Sequence, residues 1–226
     1  MTKQLETTSL LVRTTVILLL ILFSSAGTLM RNSVYKDDLS LWADTALKSK
    51  SKPRPRAVLG YELLMRGEVD AAIPELEAAV ALYQNNPDNP LSSGYVDKFY
   101  VEALNNLGSA YRKQGRMDGA LAYYRKAIQL RPYIAGFHYN LADALRETGQ
   151  LDEAISEYQT AVRLQPNYAD ALNNLGLSYA LEGRLREAAD AFSTAVTLDP
   201  ENARYRRNLE KAQYFLGQSQ SRSSRK

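Results

Sequence analysis

The chain has 226 residues, 45% hydrophobic and 23% charged, a usage that excludes both a wholly disordered chain and a polytopic membrane protein. It has no cysteine and one histidine, His138, which excludes disulfide frameworks, thiolate nucleophiles, zinc fingers and histidine-built metal sites. Lys and Arg outnumber Asp and Glu nine to four in residues 1–56 and seven to one in 203–226, but are outnumbered twelve to twenty in 57–202. An acidic body that repels phosphate backbones thus separates two basic ends, and nucleic acid is not an expected partner.

The first predicted element is a membrane segment. Between Arg13 and Arg31 lie 17 uncharged residues, Val16 to Phe23 is an unbroken apolar run, and Leu10 to Met30 spans 21 residues. Crossing ~30 Å of hydrocarbon takes ~20 helical residues, and Arg13 can snorkel to the headgroups. A stretch apolar on every face has no polar side to show water, so a soluble helix is disfavoured. Residues 1–30 are read as a signal-anchor or transmembrane helix. The alternative is a cleaved signal peptide, with Ser24-Ser25-Ala26 as small residues before Gly27. Either places the rest of the chain outside the cytoplasm, on the periplasmic side of an inner membrane. Lys3 and Arg13 before the span against Arg31, Lys36, Lys48 and Lys50 after it favour the opposite orientation.

Residues 31–52 form a juxtamembrane linker. Leu39, Leu41, Trp42 and Leu47 after an acidic start predict a short amphipathic helix over 37–49, followed by the basic joint KSKSKPRPR at 48–56. From Pro53, RAVLGYEL at 56–63 and GEVDAAIPELEAAVALYQ at 67–84 predict a pair of helices. Residues 85–100, with Pro87, Pro90 and Gly94, read as an inserted loop.

Beyond the loop the chain repeats itself. LNNLGSAY, HYNLADAL and LNNLGLSY begin at residues 104, 138 and 172, and each is followed by GRMDGALAYYRKAIQLRP, GQLDEAISEYQTAVRLQP or GRLREAADAFSTAVTLDP at the same offset of 34. Small residues at Gly108, Ala142 and Gly176 let one helix approach another, with Tyr111, Leu145 and Tyr179 filling the space beside them. Gly115, Gly149 and Gly183 suit a left-handed turn between two helices. Pairs such as Ala120 and Ala127 keep one helix face thin, and Pro132, Pro166 and Pro200 stop the second helix. Each unit, 101–134, 135–168 and 169–202, is therefore a helical hairpin that buries its apolar face only by stacking on neighbours. Residues 203–217 are the polar capping helix such a stack requires, and the basic tail 218–226 is expected to be disordered.

The pattern of leucine, small residue, aromatic, glycine, alanine, aromatic, alanine and proline resembles the tetratricopeptide repeat family, with residues 53–84 as a divergent first copy. That resemblance implies an all-α, right-handed solenoid of helical hairpins whose inner helices line a concave groove. Asn106, Asn140 and Asn174 share one register in that groove, and Asn208 continues it by another 34. A carboxamide can grip a peptide backbone with both donor and acceptor. In this the series is similar to the asparagine ladder of the nucleocytoplasmic O-linked N-acetylglucosamine transferase family. Asparagine is also a common family residue there, so local hydrogen bonding is the alternative. Asn105, Ser109, Arg112, Tyr139, Asp143, Arg146 and Asn173 complete the candidate binding residues, a mixed set that suits an extended peptide. The carboxylate clamp of chaperone-binding relatives needs lysines and asparagines in the first repeat, where Ala57 and Tyr61 stand, so chaperone-tail binding is disfavoured. His138 takes the register of Leu104 and Leu172 and reads as packing, as does the pair Tyr123 and Tyr124.

No nucleophile, base or metal cluster stands out, so the chain reads as a non-catalytic membrane-tethered scaffold without a cofactor. It would bind another protein, within a hetero-complex, and support assembly or stability of a membrane or bacterial envelope complex. Two alternatives stay open. The order of membrane helix, Leu-Trp segment, Lys-Ser-Pro stretch and repeats is similar to membrane O-mannosyltransferase-like proteins that carry repeats, which would make the chain an accessory or remnant of a glycosyltransferase system. Or it is a permanent structural subunit, with the inserted loop and Tyr95, Phe99 and Tyr100 as its contacts.

Overall fold

The computed structural model describes residues 38–85 and 97–223, with side chains as far as Gln218. The predicted membrane segment and Tyr95 lie outside the described residues. Among those described there are ten helices and no strands, and no helix is long and apolar enough to cross a membrane. The chain divides into two compact units, residues 1–50 and 51–226.

The first unit contributes α1, Asp38–Lys48. Asp44 pairs with Lys48 at 2.7 Å one turn on, and the Thr45 hydroxyl donates to the Leu41 carbonyl at 2.7 Å.

The second unit is a row of hairpins. Its helices are α2 (Pro53–Met65), α3 (Val69–Gln84), α4 (Lys98–Lys113), α5 (Met117–Leu130), α6 (Ala135–Glu147), α7 (Leu151–Leu164), α8 (Ala169–Leu181), α9 (Leu185–Leu198) and α10 (Ala203–Ser223). Within a hairpin, the first helix ends on a glycine in the left-handed region: Gly67, Gly115, Gly149 and Gly183 have φ between 76° and 81°. That conformation lets two amides turn back on the closing helix. At Gly115, its own N–H reaches Arg112 O at 2.9 Å and Arg116 N–H reaches Tyr111 O at 2.9 Å, satisfying carbonyls the helix end would otherwise strand. Between hairpins, α5, α7 and α9 stop at Leu130, Leu164 and Leu198, two residues before Pro132, Pro166 and Pro200.

Packing inside each hairpin follows from the small residues. A Cβ on Gly108 would lie 2.8 Å from Tyr124 Cδ1, and one on Gly176 would lie 2.7 Å from Phe192 Cε1. Those rings occupy the space the missing side chains leave. Ala120, Ala127, Ala154, Ala161, Ala188 and Ala195 are fully buried, which brings α5, α7 and α9 against the first helix of their own hairpin and the first helix of the element that follows. In α10, exposed Glu210 takes the register of Gly176. α10 therefore lacks, at that register, the small residue against which α9 packs on α8.

Two expected boundaries are corrected. The inserted loop is expected over 85–100, but α4 already begins at Lys98, because the Asp97 carboxylate caps it by accepting from Phe99 N–H at 2.8 Å. Tyr100 is consequently buried against Tyr83, with ring centroids 5.2 Å apart, and is not available as a subunit contact. The tail expected to be disordered from Gln218 instead continues α10 to Ser223. Extending an existing helix needs no new nucleus, and no proline interrupts Gln218–Ser223.

Candidate peptide-binding groove

The first helix of each hairpin packs on the first helix of the next, so α2, α4, α6, α8 and α10 form one continuous face. All ten candidate residues lie on the three central helices of this face. Their surroundings divide them sharply.

Asn173 and Asn174 are 0% and 6% exposed, and Asp143 is 7% exposed. The expectation that the asparagine column grips a ligand is corrected for Asn174, because its carboxamide is already committed. Its Nδ2 donates to Asp143 Oδ1 at 2.9 Å and to the Tyr139 hydroxyl at 3.2 Å, while its Oδ1 accepts from Asn173 Nδ2 at 3.1 Å. Asn140 Nδ2 donates to Asn105 Oδ1 at 2.9 Å, and Asn208 Nδ2 to Asn173 Oδ1 at 2.8 Å. The bonds Asn140–Asn105, Asn174–Tyr139 and Asn208–Asn173 each join residues 35 apart in sequence, a position of one repeat to the preceding position of the repeat before. The column is a seam that stitches neighbouring hairpins.

Asp143 is the centre of a second network. Its carboxylate accepts from the Tyr158 hydroxyl and Asn174, and Arg112 Nη1 reaches it at 3.3 Å. Arg146 donates from Nε to the Tyr158 hydroxyl at 3.4 Å. Burial, then the Asp143 charge, pushes the Tyr158 and Tyr139 hydroxyls well above the ordinary phenol range, so both stay protonated, Tyr158 donating to Asp143 and Tyr139 accepting from Asn174. Tyr139 also stacks on Tyr168, with centroids 5.0 Å apart. The Ser109 hydroxyl donates to Asn105 O at 3.1 Å and accepts from Tyr124 at 3.0 Å. Arg112, Arg146, Ser109 and Tyr139 are therefore positioned by the core and remain half-buried at the surface of the face.

Asn106 breaks the series. Its carboxamide has no hydrogen bond among the described residues, because the first repeat places Ala57 where later repeats place Asn105, Tyr139 and Asn173. A methyl group can neither accept nor donate. Asn106 instead lines a cavity of about 420 Å³ between α2 and α4, walled by Ala57, Val58, Tyr61, Phe99 and Ala103 and bordered by Glu62 and Glu102. Sequence reasoning noticed Ala57 and Tyr61 but not the cavity. The signal was present in the mismatch of Ala57 with its column. A second, apolar cavity of about 170 Å³ lies where α8, α9 and α10 meet, among Leu177, Leu185, Phe192 and Phe215.

His138, expected to pack, is buried, and both its ring nitrogens also meet acceptors: Nδ1 lies 2.6 Å from Glu157 Oε2 and Nε2 lies 2.9 Å from Pro132 O. The Glu157 hydrogen bond raises its pKa against the opposing effect of burial. Among the described residues no three His, Cys, Asp or Glu side chains are grouped to hold a metal ion.

A row of helical hairpins with one half-open polar face is a helical-repeat binding module. Family models described as tetratricopeptide repeat match residues 101–133 and 169–202 in one case and 123–156 in another, and a model described as TPR repeat matches 142–183. Residues 101–202 of the chain carry repeats of the tetratricopeptide repeat family. A crystal structure of MamA protein is 25% identical, covering 72% of this chain and 81% of that one, with a TM-score of 0.60. The first tetratricopeptide domain of Spaghetti, bound to the HSP90 peptide SRMEEVD, is 28% identical over 54% of this chain and 97% of that one, with a TM-score of 0.53. MamA from residue 41 to its end, from Desulfovibrio magneticus RS-1, is 22% identical over 81% of this chain and 96% of that one, with a TM-score of 0.62, and shares the fold. No curated protein matches the chain.

Proposed function

We propose that this protein is a non-catalytic, membrane-tethered scaffold whose first-helix face holds an extended segment of another protein and so supports assembly of a membrane or envelope complex. Its tetratricopeptide repeats make it a protein-binding scaffold. The observation that carries the finer reading is Asn106, a carboxamide with no hydrogen bond among the described residues, at a cavity on the face where its counterparts Asn140 and Asn174 bond across repeats. Spaghetti, with the same fold, is bound to a peptide. Tethering rests on the 17 uncharged residues between Arg13 and Arg31, and export to the periplasmic side rests on the likeness of that segment to a signal sequence.

The test is mass spectrometry of proteins retained by the tagged full-length chain from detergent-solubilised membranes. Two comparisons accompany it: Tyr61→Ala/Asn106→Ala, and a chain lacking residues 1–30. Partners lost with the double substitution at unchanged thermal stability establish the groove. Partners that survive it but vanish without residues 1–30 place binding in the membrane segment and overturn the groove reading.

A further inference from the structure

The seam is complete between the second, third and fourth repeats and the cap, and missing at one place, between the first and second. There Ala57 replaces a polar residue, and the gap is the cavity between α2 and α4. Its walls are apolar, while its border carries two carboxylates, Glu62 and Glu102, that form no ion pair or side-chain hydrogen bond among the described residues. Tyr61, 42% exposed, presents a ring that no cation of the chain covers among the described residues.

This combination selects a side chain by chemistry. An aliphatic or aromatic residue would fill the walls but strip water from two carboxylates without replacing it, which is unfavourable. A lysine or arginine has an apolar stem and a charged head, and so matches an apolar wall with an anionic border. Its head can also lie over the Tyr61 ring. Two cations beside Phe99 are already placed: Arg54 Cζ lies 4.2 Å from the Phe99 ring centroid and Lys98 Nζ lies 4.9 Å from it. Glu62 is eight residues beyond Arg54 on α2, about 12 Å along the helix, at the other end of the cavity.

Resting on the groove reading above, we propose that the cavity receives a lysine or arginine side chain of the bound segment, its stem against Ala57, Val58 and Ala103 and its charge between Glu62 and Glu102. The preferred partner is thus a basic extended segment, opposite in sign to an acidic chaperone tail. Asn106 then holds the neighbouring peptide backbone with its unpaired carboxamide.

The experiment probes the full-length chain in detergent with immobilised peptides of roughly twelve residues, about the span of the five helices of the face. Each pool fixes one amino acid at one position and randomises the rest. Pools fixed as Lys or Arg should be retained best. Their retention should fall about tenfold in Glu62→Gln/Glu102→Gln, the loss expected for charge-assisted contacts. Asp190→Asn/Glu201→Gln removes the same charge from exposed sites elsewhere and should leave the preference intact. Both variants must melt as the wild type does. A basic preference that survives loss of Glu62 and Glu102, or falls equally in the control, overturns the proposal while the groove reading stands. So does a preference for acidic or apolar pools. If no pool is retained, the groove reading itself fails and this proposal with it.

Discussion

The Asn140 carboxamide donates to Asn105 Oδ1 at 2.9 Å across the junction of α4 and α6, and the same bond recurs one repeat on, from Asn174 to Tyr139, and again from Asn208 to Asn173. A net intramolecular hydrogen bond contributes about 1 kcal/mol, and leaving a buried group unsatisfied costs about 1–3 kcal/mol. Asn140→Ala, at a half-exposed pair, should therefore cost about 1 kcal/mol. Asn174→Ala, which also deprives buried Asp143 of a donor, should cost about 2–3 kcal/mol. Asn106→Ala should change stability by less than about 0.5 kcal/mol, since it breaks no bond. Urea titrations rank the three; equal losses would refute the division of the column into seam and ligand-facing parts.

Glycines in this chain have opposite duties. Gly176 lies against Phe192, and an added Cβ would meet the ring at 2.7 Å, whereas a Cβ on Gly217 in α10 would meet nothing within 4 Å. Gly176→Ala must push α9 from α8 and should cost about 1–3 kcal/mol, as overpacked sites do. Gly217→Ala stiffens an exposed helix and should add about 0.5–1 kcal/mol. Thermal melts of the two variants moving in the same direction would contradict this packing.

The hairpins were legible because their determinants are local and recur: a glycine closing each first helix, a proline after each second, alanines between. The role of the asparagine column was not. A 34-residue period aligns Asn106, Asn140 and Asn174 with one another, but the contact between repeats runs at 35, so each asparagine meets the column before its own. Alignment therefore displays equivalence and hides opposition. The start of α4 was missed for a different reason. Asp97 caps it just after Pro90 and Gly94, and the two aromatics that follow look like loop residues until Tyr83 is brought beside Tyr100.

The pairing of His138 has a pH signature. With Glu157 at one ring nitrogen and the Pro132 carbonyl at the other, the imidazolium form makes both hydrogen bonds and the neutral form loses one. The folded-state pKa is raised, so the contribution to stability is full below the ordinary histidine value near 6.5 and is lost as pH rises through the higher folded value. Stability should thus decline from mildly acid to alkaline pH. His138→Leu, which restores the residue that Leu104 and Leu172 place at this register, should flatten that part of the profile. Denaturant midpoints across pH measure it, and an unchanged slope in the leucine variant would assign the pH dependence elsewhere.

Asp143 binds three repeats into one unit. It sits on α6, accepts from Tyr158 on α7 and Asn174 on α8, and pairs with Arg112 on α4 at 3.3 Å. Removing one partner of a buried ion pair leaves the other charge uncompensated, which costs about 3–5 kcal/mol. Asp143→Ala strands two donors and leaves Arg112 only Glu147, at 3.7 Å, so the loss should approach the lower end of that range. Asp143→Asn keeps the shape and one acceptor oxygen and should lose less. Because a solenoid is stable only through nearest-neighbour contacts, the damage should also be local in its consequences. Amide exchange should accelerate first in α6 to α8, while α2 and α3 keep their protection and the single unfolding transition broadens toward two. Uniform acceleration along the whole row, at the same loss of stability, would mean that the network adds strength without coupling the repeats it touches.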